Sequence, residues 1–310
     1  MSVVVVTDRI HTIRRVLDRL RAQTARDRLE VVIVLPQGAR EGDDELSLQG
    51  FAGVRIHEIP SIHPVPWARA AGIRAASAPI VFLGETHSFP HPGLAAALID
   101  AHDSDWDVVV PGIANANPES ALSWASFLMD YGVWLDALPA GPIRGGPTWN
   151  VAYKRAVLAE ADDRLETAME HGDVLAEWFS ARGGRAYFQP HARLDHANIS
   201  RAEWWFEQRY LSGLLVANAR RKRWSLAKRM LYVAASPLIP AVIMYRLRQP
   251  VKRLLLSGGM PLTAMPILLI GAIVRTAGEV VGYTVGARAG AQRRMDEFEI
   301  HKLRFTSMPV

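Results

Sequence analysis

The chain has 310 residues, of which 49% are hydrophobic and 22% charged, a composition that excludes a wholly disordered or fibrous protein. It contains no cysteine, which excludes disulfides, thiolate metal sites and thiol nucleophiles. The net charge of +5 is unevenly spread: residues 1–200 carry 18 Lys and Arg against 25 Asp and Glu, and residues 201–310 carry 18 against 6. The sequence is therefore an acidic body followed by a basic C-terminal part, long enough together for two modest domains.

Short apolar runs alternate with helical patterns through the first 90 residues. The runs predict buried strands and the segments between them predict helices; the strands are 3–6, 31–35, 54–59 and 80–83, and the helices are 10–23 and 66–76. The first run follows Met1 without a basic stretch, which is typical of a buried strand and not of a secretory signal. Strands that alternate with helices predict an α/β fold with a mostly parallel sheet covered by helices. Because such sheets bind ligands at the carboxyl ends of their strands, residues 84–88 become the first place to look for chemistry.

Two uncharged runs dominate the basic C-terminal part, one of 16 residues at 230–245 and one of 21 residues at 254–274. The first is short for a membrane-spanning helix, which needs about 20 apolar residues, and glycines and prolines interrupt the second. Basic clusters precede, separate and follow the runs, so a crossing would place one cluster on the far side of the bilayer. We therefore expect a membrane-associated helical region whose runs dip into the cytoplasmic leaflet, peripherally or as a re-entrant hairpin. The alternative is that they are core helices of a soluble domain.

Nucleic-acid binding by this basic part is not favoured. Its charges are interrupted by apolar runs, whereas nucleic-acid-binding surfaces interleave basic residues with aromatic side chains on a polar face. The sequence also contains no phosphate-binding loop of the G-x-x-x-x-G-K-S/T type. We expect a membrane surface as the partner of this region, and no nucleic acid.

The order of motifs over residues 2–200 resembles the GT-A fold of family-2 glycosyltransferases. An opening SVVVVTDR is followed by LEVVIV, WARAAGIRAASAPIVFL, an acidic signature and Pro-His-Pro-Gly-Leu; later come GGPTWNVAYKRAVL and EHGDVLAEWFSARGGRAYFQPHARLDHAN. AGEVVGYTVG in the tail is similar to membrane-associated bacterial members. The resemblance implies a catalytic GT-A domain at 1–205 and a basic, apolar helical region at 206–310.

Such enzymes neutralise the diphosphate of the leaving group with Mg²⁺ or Mn²⁺ held by an Asp-x-Asp element. This chain has Glu85-Thr86-His87 at the corresponding place. In extended backbone, residues 85 and 87 point to the same side, so a carboxylate and an imidazole would face one ion, and Mn²⁺ accepts that mixed set better than Mg²⁺. Two alternatives remain: His87 contacts a phosphate directly, or the segment is a turn without a ligand role.

The resemblance also implies a general base that takes the proton of the acceptor hydroxyl. The candidates lie in the EHGD segment: Asp173 first and Glu170 second. Asp173 alternatively caps the helix that follows it, since Asp is a favoured N-cap residue. His196, in LDHAN, resembles the late histidine of the family that approaches the diphosphate or the metal; a lone histidine is otherwise more often structural.

The remaining candidates are implied by position within the same motifs. Thr7, Asp8 and Arg69 would contact the donor, although Asp8 is equally placed to cap a helix and Arg69 to pair with a surface acid. Gly146, Trp149 and Asn150 would form an acceptor or sugar site, because an aromatic face packs on a pyranose and an amide binds hydroxyls. Trp149 alternatively belongs to the core.

These expectations combine into one function: a membrane-associated glycosyltransferase that moves a sugar from a nucleotide-sugar donor to a lipid-linked or envelope-polysaccharide acceptor, with inversion. The alternative is a glycosyltransferase-like binding or scaffold protein at the membrane that has lost turnover. Glu-Thr-His in place of Asp-x-Asp, and Pro36 where many relatives place a base-binding Asp, motivate that alternative.

Overall fold

The computed structural model describes residues 1–40, 48–170 and 172–308. Its strands are β1 (Ser2–Val6), β2 (Glu30–Pro36), β3 (Gly53–Ile59), β4 (Ile80–Leu83), β5 (Ser88–Pro90), β6 (Val108–Asn115), β7 (Gly141–Ile143), β8 (Val151–Lys154) and β9 (Ala186–His196). The helices of the first 200 residues are α1 (Arg14–Arg21), α2 (Val65–Ala75), α3 (Leu94–His102), α4 (Ala121–Tyr131), α5 (Arg155–Ala159), α6 (Leu165–Glu170) and α7 (Gly172–Ala181). Those that follow are α8 (Ala202–Arg223), α9 (Leu226–Ala234), α10 (Ile239–Arg246), α11 (Arg248–Leu256), α12 (Ala264–Thr284) and α13 (Ala291–Ile300).

Within the described residues the strands form one sheet in the order β3-β2-β1-β4-β8-β6-β9-β5, with β7 paired to β9. Strands β3, β2, β1 and β4 run parallel to one another. β8 lies between β4 and β6 and runs antiparallel to both. The predicted α/β class is confirmed, and the four strands that the sequence predicts form its parallel part.

The central parallel strands β1 and β2 form because their residues are largely β-branched and apolar on both faces. All five residues of β1 are buried, and so are residues 31–35 of β2. Helix α2 lies directly on these strands at Gly72, where an added Cβ would come within 2.7 Å of methyl groups of Val4 and Val34. Such close approach of a helix to a sheet requires glycine at that position.

The chain packs as two compact units. The first comprises Met1–Ala114 and Asp136–Asp195 and contains nearly all of the sheet. Contacts of two α2 residues attach this helix to α6 in this unit: the Trp67 indole donates to Glu170 over 2.7 Å, and Arg74 pairs with Glu166 in the first turn of α6 and with the preceding Asp162 over 2.6 Å. The short helix α6 is therefore fixed at both ends.

The second unit comprises Asn115–Leu135 and His196–Val310 and is helical. Its long helices α8 and α12 approach one another through glycines. A Cβ at Gly282 of α12 would come within 2.5 Å of the Leu214 carbonyl oxygen, and one at Gly278 would collide with the Tyr210 carbonyl; Gly213 of α8 meets the Arg275 carbonyl in the same way. Small residues at four-residue spacing permit backbone contact of this kind in helix pairs.

The uncharged runs fold differently from one another. The run at 230–245 is divided between α9 and α10, with a 3-10 turn at Ser236–Leu238 between them. The run at 254–274 is interrupted at Gly258 and Gly259 but continues through Pro266 in α12. Pro266 lies in the first turn of that helix, where no backbone hydrogen bond is lost, so the expected break there is absent.

Among the described helices, α12 is the one long and apolar enough to cross a membrane, and 39% of its most apolar window is buried within the protein. Residues 226–256 would qualify as a second, bent span with an angle of 50° at the break after Ala234. Core helices of soluble proteins pass the same test, so length and composition here leave both predicted environments open.

Candidate active site

The segment that follows β4 carries the most concentrated set of buried polar side chains in the first unit. Glu85, Thr86, His87 and Ser88 are each at most 5% exposed. The Glu85 carboxylate oxygen Oε2 lies 3.6 Å from His87 Nε2. The segment begins at the carboxyl end of a parallel strand, which is where α/β sheets place their ligands.

Asn150 and Ser88 hold the Glu85 side chain. Asn150 Nδ2 donates to Glu85 Oε2 over 2.6 Å and to Ser88 Oγ over 2.9 Å, and Ser88 Oγ donates to the same Glu85 oxygen over 3.1 Å. Asn150 is fully buried and immediately precedes β8. The antiparallel pairing of β4 with β8 therefore connects residues that are 65 positions apart in the sequence.

His196 is the last residue of β9 and is fully buried. Its Nδ1 lies 2.8 Å from Asn198 Oδ1, and the amide nitrogen of Asn198 donates to the His196 carbonyl and to Asn115 Oδ1. Since the Asn198 oxygen must then be the acceptor, Nδ1 of His196 is the donor in that bond. The Tyr131 ring packs on the imidazole at 4.4 Å between centroids.

Glu85, His87 and His196 each offer one ligand atom, and these atoms all lie within 4.8 Å of one another. A set of one carboxylate and two imidazoles suits Mn²⁺ or another divalent transition metal better than Mg²⁺, which prefers oxygen ligands alone. The donor set thus fits the metal that the sequence resemblance implies. Glu85 and His87 are the two ligands expected from the sequence; the third is the histidine expected near the diphosphate.

The other expected donor contacts are close to the sheet. Thr7 is buried at the end of β1, and its hydroxyl donates to the Arg9 carbonyl. Asp8 accepts a 2.6 Å hydrogen bond from the Thr12 hydroxyl, a contact that fixes the turn leading into α1. Arg69 is buried in α2 and lies over the Trp149 ring, 5.9 Å from its centroid.

The residues expected at the acceptor have different environments. Trp149 is half-buried, and the Arg69 guanidinium lies over its ring. Gly146 packs against the sheet, where a Cβ would come within 2.9 Å of Val110. Asn150 contacts Glu85, as described above, and has no exposed surface.

The two candidate bases lie at the junction of α6 and α7. Glu170 ends α6 and accepts the hydrogen bond from the half-exposed Trp67. Asp173 is in the first turn of α7, and its side chain lies outside the described part of the structure. Its roles as base and as helix cap therefore both stay predictions.

Sequence reasoning missed Ser88, Asn198 and Trp67. Ser88 stands one residue beyond the Glu-Thr-His signature, and Asn198 stands two beyond His196 in the motif that was already singled out. Polar side chains beside a metal ligand commonly orient that ligand, and this rule would have identified both residues. Trp67 carried no local signal, because its partner Glu170 is 103 residues away.

Solved structures of the following three proteins are among those that resemble this chain. TarS 1-349 of S. aureus in complex with UDP is 15% identical, with 93% of this chain and 92% of that chain covered and a TM-score of 0.45. Mannosyltransferase PcManGT of Pyrobaculum calidifontis in complex with GDP-Man and Mn²⁺ is 16% identical, with 95% and 86% covered and a TM-score of 0.45. GalNAc-T7 with UDP, GalNAc and Mn²⁺ is 12% identical, with 64% and 44% covered and a TM-score of 0.41.

These structural neighbours are GT-A-type glycosyltransferases, the class that the sequence resembles. No protein-family model and no curated protein matches the sequence. At these identities and TM-scores, the function proposed below rests on the chain's own residues and not on the likeness.

Proposed function

We propose that the protein is a glycosyltransferase that takes a sugar from a nucleotide-sugar donor and adds it to a lipid-linked or envelope-polysaccharide acceptor. The observation that carries this proposal is the buried group of Glu85, His87 and His196 at strand ends of the sheet. A carboxylate is rarely buried without a partner of opposite charge or a metal. His87 Nε2 lies 3.6 Å from Glu85 Oε2, and the set as a whole suits a divalent cation.

The cation would neutralise negative charge on the diphosphate leaving group, which is the chemistry such a group supplies when bound. The protein's own residues would do the rest. Arg69, which lies over the Trp149 ring, would supply positive charge for the donor, and the half-buried Trp149 ring would pack on a sugar.

Proton removal from the acceptor hydroxyl is assigned to Asp173, with Glu170 as the second candidate. The bond from Trp67 keeps the Glu170 carboxylate at the junction of α6 and α7, and the half-exposed Trp67 indole beside it offers a surface for a sugar. A carboxylate base acting on the face opposite the leaving group would give inversion at the anomeric carbon.

The second part of the proposal is attachment to the cytoplasmic face of a membrane through the C-terminal region. Among the described residues, thirteen of the seventeen exposed large apolar side chains lie between 226 and 285. Leu231, Leu238 and Tyr245 are each 65% exposed, and basic side chains surround the segment. Exposed apolar groups in such number, flanked by Lys and Arg, are typical of a surface that enters an anionic leaflet.

Donor hydrolysis tests the enzymatic part. The purified full chain is incubated with UDP-linked and GDP-linked sugars, with and without Mn²⁺, and nucleotide release is measured. We expect Mn²⁺-dependent release that falls about 100-fold to 1000-fold in Glu85→Gln and in Asp173→Asn, the loss typical of one electrostatic or proton-transfer group. Glu58→Gln, at an exposed position of β3, is the matched control and should keep full activity.

The same assay separates the enzyme from the inactive binding protein. A chain that retains a nucleotide sugar through gel filtration but releases no nucleotide with any cation would favour the scaffold interpretation. A chain that neither binds nor turns over any nucleotide sugar would contradict both.

Membrane attachment is tested by sedimentation of the full chain with vesicles that contain 30% anionic lipid, roughly the charge of a cytoplasmic leaflet. We expect co-sedimentation that weakens at high salt and is lost when Leu231 and Leu238 are both replaced by Glu. The matched control is Val54→Glu, an exposed apolar residue of β3 in the first unit. Equal sedimentation of the control and the double variant would rule out the proposed surface.

A further inference from the structure

Asn150 has a backbone conformation that few residues other than glycine adopt. Its φ of 51° is in the left-handed region, and it is the one non-glycine residue with a positive φ among those described. Asn is one of the few L-residues that adopts this region readily. Its backbone N–H also donates to the Leu83 carbonyl over 2.6 Å, which pins the start of β8 to the end of β4.

This conformation turns the Asn150 side chain toward Glu85. The amide nitrogen uses its two N–H groups on Glu85 Oε2 and on Ser88 Oγ, and Ser88 in turn donates to Glu85 Oε2. The three side chains thus close a ring of hydrogen bonds in which two donors reach the same carboxylate oxygen. Two donors on one oxygen restrict rotation of the carboxylate, because any turn would break one of them.

The burial of Asn150 separates this role from a sugar contact. The residue has no exposed surface, and Glu85 and Ser88 are at most 5% exposed. A residue that binds sugar hydroxyls must present its amide to the solvent-filled site, whereas a residue that orients a ligand side chain is normally enclosed beside it.

We propose that Asn150, assisted by Ser88, is a positioning residue that holds Glu85 in the orientation required to bind a divalent cation. The inference rests on the metal site of the proposed function. It assigns no contact between Asn150 and the donor or acceptor sugar.

The experiment measures Mn²⁺ binding to the full chain by electron paramagnetic resonance, without nucleotide. Asn150→Gly is the decisive variant, because glycine keeps the left-handed backbone and removes only the amide. We expect Mn²⁺ affinity to fall 10-fold to 100-fold in Asn150→Gly, the usual effect of removing an outer partner of a ligand. Ser88→Ala should lower it in the same direction by a smaller factor. The thermal midpoint without metal should change little in either variant.

Thr148→Ala is the matched control, since Thr148 is buried on the same segment and makes no hydrogen bond to Glu85 in the described structure. Its Mn²⁺ affinity should equal that of the unmodified chain. A second measurement, the affinity for UDP without metal, should be the same in all three variants if Asn150 acts through Glu85 alone.

The outcomes separate the inference from the function on which it rests. An unmodified chain that binds no Mn²⁺ refutes the metal site and the inference with it. An unmodified chain that binds Mn²⁺, with Asn150→Gly binding equally well, refutes the inference and leaves the metal site standing. If Asn150→Gly does not fold, Ser88→Ala decides: unchanged Mn²⁺ affinity contradicts the inference, and reduced affinity at an unchanged thermal midpoint supports it.

Discussion

The two units of the chain use buried polar residues in opposite ways. In the first unit, Glu85, His87 and Asn150 are gathered at strand ends, and the proposed function assigns this cluster to a divalent cation. In the second, the buried Arg209 is neutralised by Asp130 through two hydrogen bonds of 2.8 and 2.6 Å. If the proposal holds, the first arrangement serves a ligand, whereas the second is an ion pair within the fold.

The two units also differ in how many large apolar side chains they expose. The first unit has few large apolar side chains in solvent, whereas the second exposes them along 226–285. This exposed apolar surface is the part of the second unit to which we assign membrane contact in the proposed function.

Substitution of Glu85 is the strongest test of this comparison. If its burial serves a ligand, Glu85→Gln should lower turnover about 100-fold or more while the thermal midpoint stays within a few degrees. Unfolding by calorimetry and nucleotide release are measured on the same preparation. A large loss of stability together with the loss of activity would mean that Glu85 is a structural residue like Asp130.

Asp130 should give the reverse pattern. Asp130→Asn leaves Arg209 buried without its partner charge, and we expect the free energy of unfolding to fall by about 3–5 kcal/mol, measured by denaturant titration. The control is Glu203→Gln, which removes an exposed ion pair between Glu203 of α8 and the preceding Arg201. It should change the free energy of unfolding by less than about 1 kcal/mol. Similar losses of unfolding free energy in the two variants would show that the Asp130–Arg209 pair stabilises the fold no more than an exposed ion pair does.

The same pair predicts an acid dependence. Burial raises the pKa of Asp130, but the charge and hydrogen bonds of Arg209 outweigh that effect and hold the pKa below its ordinary value. The stabilisation is therefore complete above the unfolded-state pKa, about 3.9, and is lost as the pH falls below it. The difference in unfolding free energy between the unmodified chain and Asp130→Asn should thus shrink between about pH 4 and pH 2.

Helix contact in the second unit is tested at Gly278. A methyl group there would meet the Tyr210 carbonyl and come within 2.9 Å of the Leu214 nitrogen, so Gly278→Ala should lower the stability by about 1–3 kcal/mol. Ala277→Ser, at the exposed neighbouring position, should stay within about 0.5 kcal/mol. Thermal unfolding in one detergent compares the two variants, and a tolerated Gly278→Ala would mean that the helices are further apart than described.

The smallest effect concerns His102 in the first unit. Burial lowers its pKa, with the bond to the Leu98 carbonyl acting in the opposite sense. The unfolded chain then takes up the proton first, at about pH 6.5, so this residue lowers stability as the pH falls below that value. Between pH 7.5 and pH 5.5, His102→Gln should reduce the fall in the free energy of unfolding by about 1 kcal/mol, as measured by denaturant titration. An equal fall in the variant and the unmodified chain would show that His102 titrates normally.

Local patterns were sufficient for the four parallel strands. The β-branched runs predict β1 to β4, and burial on both faces leaves β1 and β2 with a continuous apolar signal. The helix at 10–23 was less exact: its start is a 3-10 turn at Ile10–Ile13, and the α-helix begins at Arg14. Boundaries of this kind depend on tertiary contacts that periodicity does not encode.

The long-range contacts of the site could not be predicted. Asn150 reaches Glu85 only because β8 inserts antiparallel beside β4, and four residues of strand give little pattern of their own. The predicted boundary after residue 205 stays a prediction, although α4, which precedes it in the sequence, packs with the second unit. Contacts between residues far apart in sequence follow from topology and not from local preference.

The glycine contact between α8 and α12 bears on the surroundings of the second unit. At Gly213, Gly278 and Gly282 the two helices meet backbone to backbone, where van der Waals fit decides the contact. Glycine contacts of this kind also stabilise helix pairs in hydrocarbon. We therefore expect the contact between α8 and α12 to persist whether the exposed side chains of α12 lie in water or in lipid.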